Sequence, residues 1–489
     1  MIRYFRFVFF VAAFVSLTPF RVCISQTKTY NDALRLEDEG KFAEATSMLS
    51  GLIGETSVSP ADSEKILYEI ERMRRIRIDY SLTADELYSQ LERTVRDITR
   101  PEFDGWIRDG KFDARIINDT LRFVGTSRSN LFFRNPEIAD RRLPLPDQRA
   151  FHTALLRDCI SIEKAADSLG TPYVLPKDFN VTMNLTADSG AAVPGEIIRA
   201  WLPIPREFPF QVNYRLASCS SRPLNISSPG STIRSLYMEQ PADSTGGSDF
   251  KISYKYRTLG VHFNLDRNKI LPYDTTDSVF KKFTSKSPNI IFTDKIKRLS
   301  TEIIGNETNP LMKARKIYDW VSGNIKYSFA REYSTISNIS DYCLTKEYGD
   351  CGQEAMLFIT LCRYNGIPAR WQSGWFTFPN AKDIHDWTEI YLPPYGWVPV
   401  DPYMGIAATR YMNDLTEKER ETIRDFYFGG LDQYRMSANS DNNQSLSPVK
   451  KFFRSDNVDF QRGELESKTG NIYFNKSDYD LSVEEVTLR

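Results

Sequence analysis

A multidomain α+β protein is expected from three features of the 489-residue sequence. Apolar residues recur at helical spacing before about residue 135, alternate at strand spacing between about 178 and 265, and show both periods between about 290 and 435. A chain of this length holds about three domains at roughly 100–200 residues each. Its 63 basic and 64 acidic residues leave a net charge of −1. That balance excludes a broad basic footprint for nucleic acid and any polybasic attraction to anionic lipid. With 41% hydrophobic and 13% aromatic residues the chain is not mostly disordered, and six cysteines are too few for a disulfide scaffold.

The first element is a targeting segment. Arg3 and Arg6 precede an apolar run from Phe7 to Phe20, shorter than the roughly 20 residues that span a bilayer, and polar sequence begins at Gln26. This order reads as a secretory signal over residues 1–25, cleaved after Ser25. Lipid anchoring at Cys23 is the rival reading, opposed by Arg21 and Val22 where such signals take small uncharged residues. No later stretch is long and apolar enough to cross a membrane, so the mature chain is expected to be exported, periplasmic or extracellular, with no transmembrane segment after the signal.

Residues 26–170 are expected to form a helical domain. Ala33, Leu34 and Leu36, then Phe42, Ala43, Ala45, Met48 and Leu49, make two amphipathic segments around Gly40, without a period that would extend them into a repeat array. Thr83 with Glu86 forms a capping box for a helix carrying Leu87 and Leu91. This region suggests no chemistry; it packs, or docks a protein partner. Residues 171–275 are expected to form an antiparallel β-sandwich, from the alternation in Phe179–Met183, Ile197–Pro203 and Phe250–Tyr256 and turns such as Ser227-Ser228-Pro229-Gly230. His152 and His262 are assigned structural places in these two regions.

Residues 280–440 are expected to be an α+β domain. Leu311–Ile325 places Ala314, Ile317, Tyr318 and Val321 on one helical face, and Gln353–Tyr364 is a second helix closed by Asn365-Gly366 and Pro368. Strands follow over Arg370–Phe378, Trp387–Leu392 and Trp397–Asp401. The remainder, 441–489, reads as a loop with one or two added strands near Asn471–Phe474.

Candidate chemistry concentrates between 349 and 402. In Gly349-Asp350-Cys351-Gly352 a thiol opens a helix, facing unpaired backbone N–H groups and the positive end of the dipole, which favours thiolate. Asp350 beside it is a turn residue. Cys362 lies about three turns and roughly 16 Å further along the same helix, so it belongs to the core; the role of Cys343 stays open. His385 precedes Trp387-Thr388-Glu389-Ile390-Tyr391, and Asp401 closes Gly396-Trp397-Val398-Pro399-Val400-Asp401. Adjacent strands can set this imidazole and carboxylate side by side, supplying the base and orienting acceptor that a cysteine nucleophile needs. The five cysteines beyond the signal are an odd number, so at least one thiol stays unpaired in an oxidising compartment. No His/Cys/Asp cluster has metal-ligand spacing, and neither a P-loop nor a dinucleotide motif is present, so no metal and no cofactor are expected.

Taken together, Gly-Asp-Cys351-Gly, the helix end Asn365-Gly366-Ile367-Pro368-Ala369-Arg370, His385-x-Trp387-x-Glu389 and Gly396-Trp397-x-x-x-Asp401-Pro402 resemble the transglutaminase-like superfamily in an exported bacterial form, over about Leu311 to Gly430. The resemblance implies a papain-like α+β catalytic domain after the sandwich, with Cys351 as nucleophile, His385 as general base and Asp401 as its orienting partner. It implies thioester chemistry on the amide of a peptide or protein, with hydrolysis favoured over transfer to an amine. A non-catalytic binding scaffold on the same fold is the alternative from another class. No match to a calcium site is present. Beyond the Cys351 N–H, the second oxyanion donor is sought in Trp320 or Tyr327, although core packing is the plainer role of each. Trp371 and Trp375, four apart on one strand, are candidates to turn an aromatic edge into a substrate cleft.

Overall fold

In a computed structural model, residues 29–53, 59–144, 147–379 and 381–486 are described. The proposed signal and Cys23 lie outside them. Among the described residues no helix is long and apolar enough to cross a membrane.

The chain opens with helices Tyr30–Asp38, Phe42–Ile53 and Pro60–Asp79, whose apolar faces share a small core around Phe42, Leu49, Met73 and Ile76. The Thr83–Glu86 capping box is present and starts the helix Ala84–Glu92. One feature departs from an all-helical reading. Strands Ala114–Ile117 and Thr120–Phe123 form a hairpin, because Asn118 and Asp119 both take positive φ, the geometry of a two-residue turn that matches strand twist. The 21-residue helix Arg149–Leu169 then leaves this region. Its Leu155, Leu156, Cys159 and Ile162 pack against Met404, Ala407, Ala408, Ile423 and Phe426, far along the chain.

The central antiparallel strands form two sheets around one core. The long strands Tyr173–Ala187 and Ser248–His262 pair over most of their length, and Ile197–Pro203 pairs with Ser235–Pro241 in the second sheet. Their inward alternation, with Phe179, Val181, Met183 and Leu185 facing Ala200, Leu202 and Met238, gives the sandwich its interior. The end of the chain returns here. Ser477–Val486 pairs with Tyr173–Ala187, and Glu464–Glu466 pairs with Ile197–Pro203.

The third region is built on a four-stranded antiparallel sheet in the order Gly396–Val400, Asp383–Leu392, Ala369–Phe376, Arg435–Asn439. The helix Cys351–Tyr364 runs beneath it with every residue from Gly352 to Arg363 buried, as the apolar character around its circumference requires. Asp350 is its N-cap and forms a capping box with Gln353. Gly366, at φ +72°, ends it in the left-handed conformation that glycine adopts without steric cost. Helix Pro310–Asn324 buries Ala314, Ile317, Tyr318 and Val321 against the same core. On the strand Ala369–Phe376 the register with Arg435–Asn439 shifts between Ser373 and Gly374, and Gly374 sits opposite His385 on the other side.

A Cβ on Gly374 would lie 1.7 Å from the Met436 carbonyl oxygen, so the bulge beside His385 admits no side chain. Gly374→Ala is expected to lower unfolding stability by about 3 kcal/mol. Gly105→Ala, at a half-buried helix position with only an ordinary contact to Arg108, is expected to raise it by about 0.5–1 kcal/mol. Chemical denaturation of both variants checks the contrast.

Candidate active site

Cys351 is the first residue of its helix, where the backbone N–H has no intrahelical acceptor. His385 lies inside the strand Asp383–Leu392, and Asp401 caps the helix Pro402–Arg410 immediately after the next strand. The Asp401 carboxylate is fully used. Its Oδ1 accepts the Met404 N–H at 3.1 Å, and its Oδ2 accepts from His385 Nε2 at 2.8 Å and Arg435 Nη1 at 2.7 Å. Burial opposes ionisation, yet His385 and Arg435 outweigh it and hold Asp401 below the usual carboxylate range. An ionised carboxylate can only accept, so Nε2 carries the proton and Nδ1 is left as the basic nitrogen. Burial pushes the imidazole below its ordinary value, while Asp401 pulls the other way.

Arg435 was not foreseen from the sequence. Its guanidinium is completely buried, donates to Asp432 Oδ2 at 2.9 and 3.0 Å as well as to Asp401, and lies 4.5 Å above the Phe376 ring. Asp432 also accepts from Tyr427 Oη at 2.8 Å. Phe376 stacks on His385 with ring centres 3.7 Å apart and planes 12° apart, fixing the imidazole from its face. The signal for Arg435 was weak: five consecutive buried residues, Arg435–Asn439, of which three are polar, in a run too short to read as an interior strand.

Cys351 and His385 line one cavity of about 700 Å³. Among the described residues no hydrogen bond joins them; the thiol instead points to Asp386 Oδ2 at 3.7 Å. In this resting arrangement burial works against the thiolate that the start of the helix favours. Burial pushes the Cys351 thiol well up, the carboxyl groups of Asp386 and Asp350 add to that push, and the Asp386 backbone N–H acts the other way. Asp350, which accepts from Tyr333 Oη at 2.8 Å, is itself raised by burial to about 6.

Tyr327 lines this cavity with Tyr403, and its backbone N–H donates to Tyr411 Oη at 2.9 Å. Trp320 does not reach the cavity; it is half-buried against the domain core. Trp371 and Trp375 also stand away from it, which corrects their assignment to a cleft wall. Their strand is interior, with a neighbour on each side and both faces covered. Trp371 packs under the Cys351 helix, while Trp375 enters the sandwich core and donates to the Gln461 carbonyl at 3.1 Å. The aromatic wall comes from elsewhere: Phe133 and Phe151 of the N-terminal region line the cavity together with Phe376, Phe378 and Tyr403, Phe151 meeting Phe378 edge-on at 5.2 Å. His152 stands in the same wall, paired with Asp414 at 2.7 Å. Cys362 and Cys343 are buried, and all five cysteines among the described residues are free. The described residues contain no His/Cys/Asp/Glu group that could hold a metal ion.

A cysteine thus opens a buried helix beside an antiparallel sheet that carries a carboxylate-held histidine. Residues 297–402, which contain Cys351, His385 and Asp401, match the transglutaminase-like superfamily. Two bacterial proteins of uncharacterised function are similar in sequence. One from Haemophilus influenzae is 25% identical over 224 residues, 40% of this chain and 59% of that protein. YebA of Bacillus subtilis is 25% identical over 134 residues, 23% of this chain and 18% of its own length. The chain therefore spans less than two thirds of either relative. Among solved structures, a candidate cysteine protease from Cytophaga hutchinsonii overlaps 65% of this chain and 92% of its own, at 17% identity and a TM-score of 0.43. The periplasmic domain of TgpA from Pseudomonas aeruginosa overlaps 50% and 98%, at 14% identity and a TM-score of 0.27.

Replacing Arg435 by Met would leave Asp401 and Asp432 buried without their shared cation. A loss of about 3–5 kcal/mol is expected on chemical denaturation. The raised Asp350 carboxyl has a pH signature of defined sign. The folded chain holds a proton there that the unfolded chain releases near its ordinary 3.8, so this contribution is complete below that value and lost as pH rises through about 6. Asp350→Asn, which keeps an N-cap acceptor, is expected to gain about 1 kcal/mol on the wild type between pH 5 and pH 8. Denaturant midpoints at the two pH values measure it.

Proposed function

We propose that this protein is an exported cysteine-dependent amidase or peptidase acting through a thioester. The observation that carries this reading is a single cavity lined by both a helix-opening thiol and an imidazole whose far nitrogen is held by a buried carboxylate.

In the proposed reaction the Cys351 S–H swings from Asp386 toward His385 while the sulfur keeps its place beside the Asp386 carboxyl. Nδ1 takes the S–H proton, and the sulfur attacks the substrate carbonyl carbon. The resulting oxyanion is met by the free Cys351 N–H, with the Tyr327 phenol as the second donor. As the C–N bond breaks, His385 returns its proton to the leaving amine, and Asp401 steadies the transient imidazolium throughout. Water, deprotonated by His385, then attacks the thioester carbonyl; the acid departs and the thiol is restored. The wall of Phe133, Phe151, Phe376 and Phe378 suits a bulky apolar side chain beside the scissile carbonyl. Export is proposed from the basic start and apolar run at the N-terminus. Outside the cytoplasm water is the acceptor always at hand, which favours hydrolysis. Transfer to an amine shares the first half of this sequence and differs only in the second nucleophile.

Incubation of residues 26–489 with casein peptides, and separately with dimethylcasein plus dansylcadaverine, tests the reading. Peptide cleavage is expected, abolished in Cys351→Ala, reduced about 10³-fold or more in His385→Ala and about 10²–10⁴-fold in Asp401→Asn. Dansyl incorporation without cleavage would make the protein a transferase. If neither occurs and iodoacetamide labels Cys351 no faster than an ordinary thiol, the scaffold reading stands instead.

A further inference from the structure

The residue after His385 points the other way on its strand, toward the Cys351 helix. Asp386 is 2% exposed, and its Oδ2 is the hydrogen-bond partner of the Cys351 sulfur at 3.7 Å. Its Oδ1 accepts from Gln461 Nε2 at 2.8 Å, and the same amide donates to the His385 carbonyl at 2.9 Å. Tyr333 Oη reaches Oδ2 at 3.4 Å while donating to Asp350 at 2.8 Å. The backbone of the Cys351 helix is drawn tightly onto this group. A Cβ on Gly352 would lie 2.6 Å from Asp386 Oδ2 and 2.0 Å from Tyr333 Oη, so the glycine makes room for the carboxyl.

The surroundings decide which form Asp386 takes. From the helix come Asp350 and Glu354; from the turn before it, Glu332 and Tyr333; from the C-terminal segment, Asp456, Asp459 and Arg462; from its own strand, His385. Arg462, the one arginine of this set, is committed to Glu332 at 2.6 and 2.9 Å and faces Asp456 at 3.6 Å. Among the described residues no cation pairs with Asp386. Burial, and then Asp459, Asp350 and Asp456, push it well above the carboxylate range against the smaller opposing pull of the Cys351 S–H that donates to it, and Asp459 itself is raised to about 7. A buried carboxyl among carboxyls and without a counter-ion is most stable carrying a proton.

We propose that Asp386 is a positioning residue that keeps its proton on Oδ2 and donates it in a hydrogen bond to the Cys351 sulfur when that sulfur is a thiolate. It lies behind the sulfur rather than in the cavity, so it does not touch substrate. The consequence is a change of sign. As a carboxylate Asp386 would oppose the thiolate; as a neutral acid it supports it, beside the helix N-terminus. The proposal rests on the thiol chemistry above, and its test separates the two.

The rate of iodoacetamide labelling of Cys351 is followed from pH 5 to 9 in residues 26–489, as wild type, Asp386→Asn, Asp386→Ala and His385→Ala. Asn is neutral and still offers a donor, so its midpoint is expected within about half a pH unit of wild type. Ala offers none, and its midpoint is expected to rise by about one unit, a roughly tenfold slower reaction at pH 6. A midpoint lowered in both variants would show an ionised Asp386 that suppresses the thiolate, and a midpoint unmoved in Ala would show no coupling; either overturns the proposal. His385→Ala reports on the enzyme reading alone, because an ordinary wild-type midpoint that this variant leaves unchanged sinks that reading while the Asp386 comparison is still read. Should Asp386→Ala fail to fold, infrared difference spectra decide. Wild type at pH 7 is expected to show a carboxylic-acid carbonyl band missing from Asp386→Asn, and no such difference would overturn the proposal.

Discussion

The buried charge chain His385–Asp401–Arg435–Asp432 is the constraint on which the rest of this domain depends. Four ionisable groups without water are tolerable only if every oxygen and N–H finds a partner, since a single unpaired charge there would cost several kcal/mol. The fold meets that demand with pieces from separate elements. The strand Asp383–Leu392 brings His385, the cap of helix Pro402–Arg410 brings Asp401, and the strand Arg435–Asn439 brings the guanidinium. The Gly374 bulge and the Phe376 ring are the steric side of the same arrangement, because strand and ring must both close on the imidazole.

The cavity is a property of the whole chain rather than of the transglutaminase-like segment. Helix Ser127–Arg134 and helix Arg149–Leu169 supply Phe133, Phe151 and His152 to a space whose floor holds Cys351. Their attachment is polar as well as apolar: Arg134 donates to Ser328 Oγ at 2.7 and 2.8 Å, and Tyr411 Oη donates to the Phe133 carbonyl at 3.2 Å. Behind the sheet, the segment from Ser440 to Gly463 is mostly buried and reaches the strands through Asp459, bonded to Ser373 Oγ, and through Gln461. The C-terminal residues therefore support the site from the side opposite the cavity, and then complete both sheets of the sandwich.

Much of the architecture could be read locally. The capping box at Thr83, the N-cap at Asp350, the helix end at Gly366 and the apolar face of Ala314, Ile317, Tyr318 and Val321 depend on residues within a turn or two of one another. The hairpin at Asn118-Asp119 escaped because its strands are only four residues long and bury one residue each, leaving little alternation to detect. Trp371 and Trp375 were misplaced for a different reason. Strand periodicity tells which side a residue faces but not what covers that side, and here a helix covers one end and the sandwich the other.

The sequence by itself determined which residues could do chemistry: a cysteine at a helix start, a histidine in a strand and an aspartate before Pro402, each marked by short-range pattern. The tertiary structure alone decided their electrical state. Whether the Cys351 thiol is helped or opposed depends on Asp386, and whether Asp401 stays ionised depends on Arg435, 34 residues away. Burial and long-range charge pairing are sums over neighbours from distant segments, and no local pattern carries those sums.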